Sequence, residues 1–186
     1  MKSIKILKNQ LLHVFFFCIL SWPIVSLADT KTTVLSDGEI IGIYNQVNSF
    51  DIETALLAMT QAHSKKVKKL AAMVSNDHRG VRLKAAELAA KINAEVILPA
   101  ARQDATLSFY QTIEELSIAR GETFDRAYLL NEIQFHTNAM AAVKNTLLPA
   151  TGSEALIEHF QTVLPHFEHH LAETVKLAKE LGYYKD

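Results

Sequence analysis

The sequence predicts an all-α protein, a four-helix bundle with one long crossover that carries a short extra helix. Three observations predict it. Apolar residues recur at steps of three and four in four separate stretches, the period of a helix with one buried face. Two of the connections between these stretches are tight turns and the third is long. No stretch alternates like a half-buried strand, and no Gly-rich phosphate loop or Ser/His/Asp signature appears.

The chain divides into three parts. Residues 1–28 read as a signal peptide: Lys2, Lys5 and Lys8 give a positive start, Leu11 to Val25 is largely apolar, and Ser26-Leu27-Ala28 offers small residues for cleavage after Ala28. That predicts export and a periplasmic location, with no stable membrane insertion once the signal is removed. Residues 29–35 are polar and Thr-rich, a flexible leader. Residues 36–186 form the helical domain.

Ser36-Asp37-Gly38-Glu39 is a capping-box pattern, so the first helix starts here. Its stripe is Ile43, Gln46, Phe50, Glu53 and Leu57, running to about Ala62 despite a polar patch at Asn48-Ser49. Gln46 lies near the helix start, where its amide reaches solvent. Ser64 caps a second helix from about Lys65 to Asn93, with Ala71, Val74, Val81, Ala85, Leu88 and Ile92 inward and His78 among them. Its outer face carries Lys65, Lys69 and Arg79, a solvated surface. Pro99 to Gly121 is the crossover, with an amphipathic helix from Leu107 to Ile118. Thr123 caps a third helix ending near Leu148-Pro149, with the seam Leu129, Glu132, His136, Met140 and Val143. Gly152-Ser153 opens a fourth, to about Leu181, with Leu156, Phe160, Val163, Phe167, His170, Thr174 and Leu177 inward and Pro165 inside it. Tight turn, long crossover, tight turn is the ferritin-like arrangement.

Composition narrows the function classes. The chain has 19 Lys+Arg and 20 Asp+Glu; three lysines lie in the signal, leaving 16 basic residues against 20 acidic ones. A mildly acidic exported chain is not a nucleic-acid binder. Cys18, the only cysteine, lies in the signal, so the mature part has neither disulfide nor thiolate chemistry.

The seams contain polar residues that need partners. They are Glu53, His78, Glu132, His136 and His170, with His166 nearby on the last helix. Counting from the two tight turns at 1.5 Å rise per residue puts all six within about 6 Å along the bundle axis. Imidazoles and carboxylates converging from several helices suit a transition metal such as zinc, iron or copper. In that case nitrogens of His78, His136 and either His166 or His170 lie within about 4–5 Å of one another. The alternative is mutual pairing without a metal, such as Glu132 with His136 four residues on. The strict di-iron pattern of Glu-x-x-His on two helices is missing: Ser75 precedes His78 by three residues and Phe167 precedes His170. Asp77 points about 100° away from His78 and pairs with a basic neighbour or faces water. Asp125 sits in a first helical turn, where the helix dipole favours an acid.

Together Met73-x-x-x-Asp77-His78, Gly121-x-x-Phe124-Asp125-Arg126-Ala127-Tyr128-Leu129, His136 and Leu164-Pro165-x-Phe167-x-x-His170-Leu171 resemble an exported bacterial ferritin-like family catalogued as domain of unknown function 4142. The similarity runs from about Ser36 to Leu181. It implies a ferritin-like bundle in the periplasm or cell envelope and picks out His78, Asp125, His136 and His170. The family's acidic position on the first helix matches Asp51 or Glu53, and periodicity favours Glu53. The resemblance implies no activity and no catalytic residue is assigned. Two functions remain: an envelope protein that binds a transition metal in a stress or storage role, and a structural or interaction protein with buried His–carboxylate pairs.

Overall fold

The computed structural model describes residues 35–185. The expected signal peptide and all but the last residue of the leader lie outside the described residues. Five helices follow in order: α1 Asp37–Gln61, α2 Lys65–Lys91, α3 Gln103–Ile118, α4 Gly121–Ala142 and α5 Glu154–Glu180. A 3₁₀ turn, Ala100–Arg102, leads into α3, and a π turn, Val143–Leu147, extends α4 to Leu148–Ala150. Among the described residues there is no strand, and no helix is long and apolar enough to cross a membrane.

The helix starts follow their capping residues. The Ser36 and Glu39 side chains each accept the other's backbone N–H, at 3.2 and 2.8 Å, a complete capping box. Ser64 and Ser153 accept first-turn N–H groups of α2 and α5. Thr123 does not cap α4, which begins two residues earlier at Gly121. Gly121 has φ 60°, the left-handed conformation that lets the chain turn directly from α3 into α4.

The long helices form a bundle in which α1 lies against α2 and α4, and α5 lies against α2 and α4. The apolar core has two parts. Ala55, Ala58, Val67, Leu70, Phe124, Tyr128 and Leu177 fill the end at the α1–α2 turn. Ile40, Tyr44, Ala85, Val143, Phe160 and Phe167 fill the end at the α4–α5 turn. The two tight turns are thus at opposite ends, and the crossover runs the length of the bundle.

Acidic side chains clip both turns to the opposite hairpin. Asp125, at the start of α4, accepts the N–H groups of His63 and Ser64 at 2.8 and 2.7 Å. Asp37, at the start of α1, accepts the Thr151 hydroxyl at 2.7 Å. Asp125→Ala leaves two N–H groups without their acceptor at a nearly closed site. It is expected to cost about 2 kcal/mol, read as a shift of the urea midpoint at constant slope.

The crossover is seated on α1 by glycine and by aromatic stacking. The chain leaves α2 through Asn93, left-handed at φ 54°, with the two reverse hydrogen bonds Asn93 N–H to Ala90 O and Ala94 N–H to Ala89 O of a Schellman cap. It then crosses α1 so closely that a Cβ on Gly38 would collide with the Glu95 carbonyl, and one on Gly42 with the Ile97 carbonyl. Both obstructions are backbone, so neither can swing aside. Gly42→Ala is expected to destabilise by about 1–3 kcal/mol despite alanine's better helix propensity, as a lowered melting temperature shows. Further on, the rings of Phe50 and Phe109 stack at 4.1 Å and pin α3 to α1. Gln46 is half-buried and not left to solvent alone. Its amide donates to Thr106 and accepts from Arg102, holding the start of α3.

Candidate metal centre

Between the two apolar clusters lies a buried polar layer. Asp51 and Glu132 are 0% exposed, His136 and His170 1%, and His78 2%. Each comes from the middle of a different long helix, apart from Glu132 and His136, which share α4.

On α1 the inward line is Tyr44, Asn48, Asp51, Ala55 and Ala58, all buried. It is not the line through Gln46, Phe50, Glu53 and Leu57. Helix α1 is covered on two sides, by the bundle and by α3, and Phe50 belongs to the side under α3. Its apolar stripe is therefore broad and its phase ambiguous. The carboxylate in the interior is Asp51, and Glu53 is exposed. On α5 the inward line is Phe160, Val163, Phe167, His170 and Thr174. His166 is one residue off that line, about 100° around the helix, and is exposed. Of the six residues singled out in the sequence, His78, Glu132, His136 and His170 come together, and Glu53 and His166 do not join them.

One ligand atom from each of His78, His136 and His170 lies within 4.8 Å of the other two, and the same holds for Asp51, Glu132 and His136. The three rings are mutually 5.3–5.6 Å apart between centroids. Phe167 stacks on His78 at 5.1 Å and 11°, closing one wall.

The hydrogen bonds fix how each ring is turned. His78 Nδ1 donates to Asn48 Oδ1 at 2.8 Å, His136 Nδ1 to the Glu132 backbone carbonyl at 3.1 Å, and His170 Nε2 to Asp77 Oδ2 at 3.0 Å. All three partners accept, so these nitrogens carry the hydrogens. The other nitrogens, Nε2 of His78, Nε2 of His136 and Nδ1 of His170, are buried and make no hydrogen bond. Both Asp51 carboxylate oxygens are in the same condition. Asp51 Oδ2 is 2.8 Å from His78 Nε2 and 3.5 Å from His136 Nε2, ion-pair distances at which no ring N–H is aligned on the oxygen. Lone pairs of neutral imidazoles cannot face a carboxylate so closely without a positive charge among them. Either a proton or a metal cation supplies it.

The titrations of the cluster are split. Burial pushes the Asp51 carboxyl up, but the charges of His78 and then His136 close beside it outweigh that and hold it at about 2. Burial, then the Asp51 charge beside it, push Glu132 well above the carboxylate range. Asp51 is thus the anion and Glu132 a neutral acid. Thr54 donates to Glu132 at 3.4 Å. Burial drives His136 down to about 4, against the pull of Asp51, and also lowers His170, against the bond from Asp77. Tyr128, one turn before Glu132, has a buried hydroxyl without a partner; burial and the charges of Glu132 and Asp51 keep it protonated.

Sequence reasoning missed four participants. Asp51 stood only as an alternative. Asn48 interrupts the apolar stripe, and that buried polar residue holds His78. The steps of four in Tyr128, Glu132 and His136 were the available signal for Tyr128. Asp77 neither meets a basic neighbour nor simply faces water. Its 100° offset turns it from α1 towards α5, where it holds His170 while its side chain stays 42% exposed. Asp125 stays out of the layer, in its role at the α1–α2 turn.

Searches among curated proteins and among solved structures each found no match. A family model does match, over residues 25–177, most of the chain. The chain belongs to the family described as domain of unknown function DUF4142.

Proposed function

We propose that this chain is an exported, ferritin-like bundle protein that binds one transition-metal ion, zinc, iron or copper, through His78, His136, His170 and Asp51, in a storage or stress role in the cell envelope. The ferritin-like reading is supported by the order of the long helices, two hairpins joined by a full-length crossover. Export is supported by the charge and apolar pattern of residues 1–28.

The observation that carries the metal reading is the division of labour within each imidazole. The outer nitrogen is hydrogen-bonded to an oxygen, and the inner one faces its counterparts with its lone pair free. Metal-ligating histidines are held in this way by their supporting shell. Imidazole and one carboxylate suit zinc, iron and copper. In a tetrahedral site with about 2.0–2.1 Å bonds, ligand atoms are about 3.3 Å apart. The three imidazoles, within 4.8 Å of one another, and Asp51, at 2.8 and 3.5 Å from His78 and His136, close on loading by ring movements. Glu132 and Tyr128 border the ion without ligating it.

Metal content of protein purified from its own host, followed by titration of chelator-stripped protein with zinc, copper and iron(II), tests this. One ion per chain is expected. Asn48→Ala, which frees the His78 ring, is expected to weaken binding about 10–100-fold. A protein that takes up no metal sinks the proposal.

The 2.8 Å contact between His78 and Asp51 favours a second reading, a protonated His78 in a buried ion pair within a purely structural layer. The same titration separates the two, because a structural layer binds no ion.

A further inference from the structure

A groove of about 740 Å³ runs between α2 and α5, and the buried layer meets the surface in it. Asp77, Gly80, Val163, His166, Phe167 and His170 are among the residues that line it. His170 is the only one of the three clustered imidazoles in that lining, and Asp77, which holds it, is the half-exposed end of the polar network. The geometry points to this groove as the route by which a divalent transition cation reaches the buried histidines, with Asp77 as the first acid it meets and His170 as the swinging member of the triad. The inference rests on the metal reading given above.

Gly80 carries the argument. It lies in the interior of α2, where glycine costs about 0.5–1 kcal/mol relative to alanine. No neighbouring atom lies within 4 Å of where its Cβ would be, so close packing does not require it. Gly38 and Gly42 are the contrast, since backbone presses on both. What Gly80 does is keep the groove open one turn along from Asp77. The space suffices for the cargo: six waters at about 30 Å³ each, a full hydration shell, come to about 180 Å³. Charge favours the passage as well. Asp77, held by His170, and Glu158 are acids of the lining, and of its two lysines, Lys84 and Lys91, the first is tied to Glu87 at 2.9 Å. His159 has a buried Nε2 without a hydrogen bond and lines the same groove. A hydrated ion can exchange water for groove donors before it reaches His170 and breaks the 3.0 Å bond to Asp77.

Stopped-flow mixing of chelator-stripped full-length protein with Co²⁺, followed by its visible absorption, tests the route. Gly80→Phe fills the groove from an open position and is expected to slow association at least tenfold while changing the equilibrium affinity less than threefold. Ala86→Phe places the same bulk in the cleft between α1 and α2 and is expected to leave the rate unchanged. Thr162→Phe, on the α5 wall, repeats the plug should Gly80→Phe fail to fold by circular dichroism. Wild-type protein that binds no cobalt, zinc or copper overturns the metal reading and the route with it. Wild-type protein that loads, beside plugged variants that load equally fast, overturns the route alone. Equal slowing by Ala86→Phe also overturns it.

Discussion

Replacing His136 with alanine is expected to lower zinc or copper affinity about 10³-fold or more. Loss of a supporting partner costs about 10–100-fold, and loss of the ligand itself exceeds that. His136 is the choice because it belongs to both groups of converging donors, with His78 and His170 on one side and with Asp51 and Glu132 on the other. Its removal also opens a void beside Phe167 and His170, whose rings lie 6.4 and 5.4 Å away. Competition against a chromophoric chelator reads the affinity, and urea unfolding of the metal-free variant confirms that it folds. Glu53→Ala and His166→Ala serve as controls. Both residues are exposed, and neither change is expected to alter binding. Unchanged affinity in His136→Ala would remove this residue from the ligand set.

In metal-free protein His136 is expected to take away about 3 kcal/mol of stability as pH falls from 6.5 to 4. Burial holds it near 4 in the folded state, against 6.5 when unfolded. A depressed pKa means that its contribution is present above 6.5 and is lost as pH falls towards 4. At 1.36 kcal/mol per unit the difference is about 3 kcal/mol. His170, also lowered by burial, adds in the same direction. Asp51, held at about 2, adds a further loss only below 3.8. Glu132 has the opposite sign: its raised pKa adds stability as pH falls to 4.5, so it opposes the histidine loss within the same window. Urea unfolding at pH 7, 5.5 and 4.5 measures the profile. His136→Gln is expected to remove that loss, since a neutral amide does not titrate. Bound metal is expected to raise stability at pH 7 and to be released in the same window, as protons compete for the nitrogens. A His136→Gln profile that runs parallel to the wild type's would mean that His136 is not held neutral.

Most of the fold was legible because its signals are local. The serines at positions 36, 64 and 153 each stand where a helix begins, and their hydroxyls cap it. The seam of α5 stands out because one face of that helix meets the bundle and the other meets water. Helix α1 shows why such reading fails elsewhere. With α3 against its flank, both Phe50 and Asp51 are shielded, and periodicity alone cannot tell which face turns inward. That ambiguity exchanged Asp51 for Glu53.

By itself, the sequence determined an all-helical chain with two helical hairpins, a long crossover, and a set of imidazoles and carboxylates drawn to one region near mid-bundle. Helical period and chain length fix these directly. The tertiary structure decided which acid meets the histidines, that Asn48 and Asp77 orient two of the rings, and that Gly80 leaves the α2–α5 groove open beside His170. The reason is that each long helix has two neighbours in the bundle. A residue's partner depends on which neighbour its side of the helix faces, and that is set by how the helices assemble.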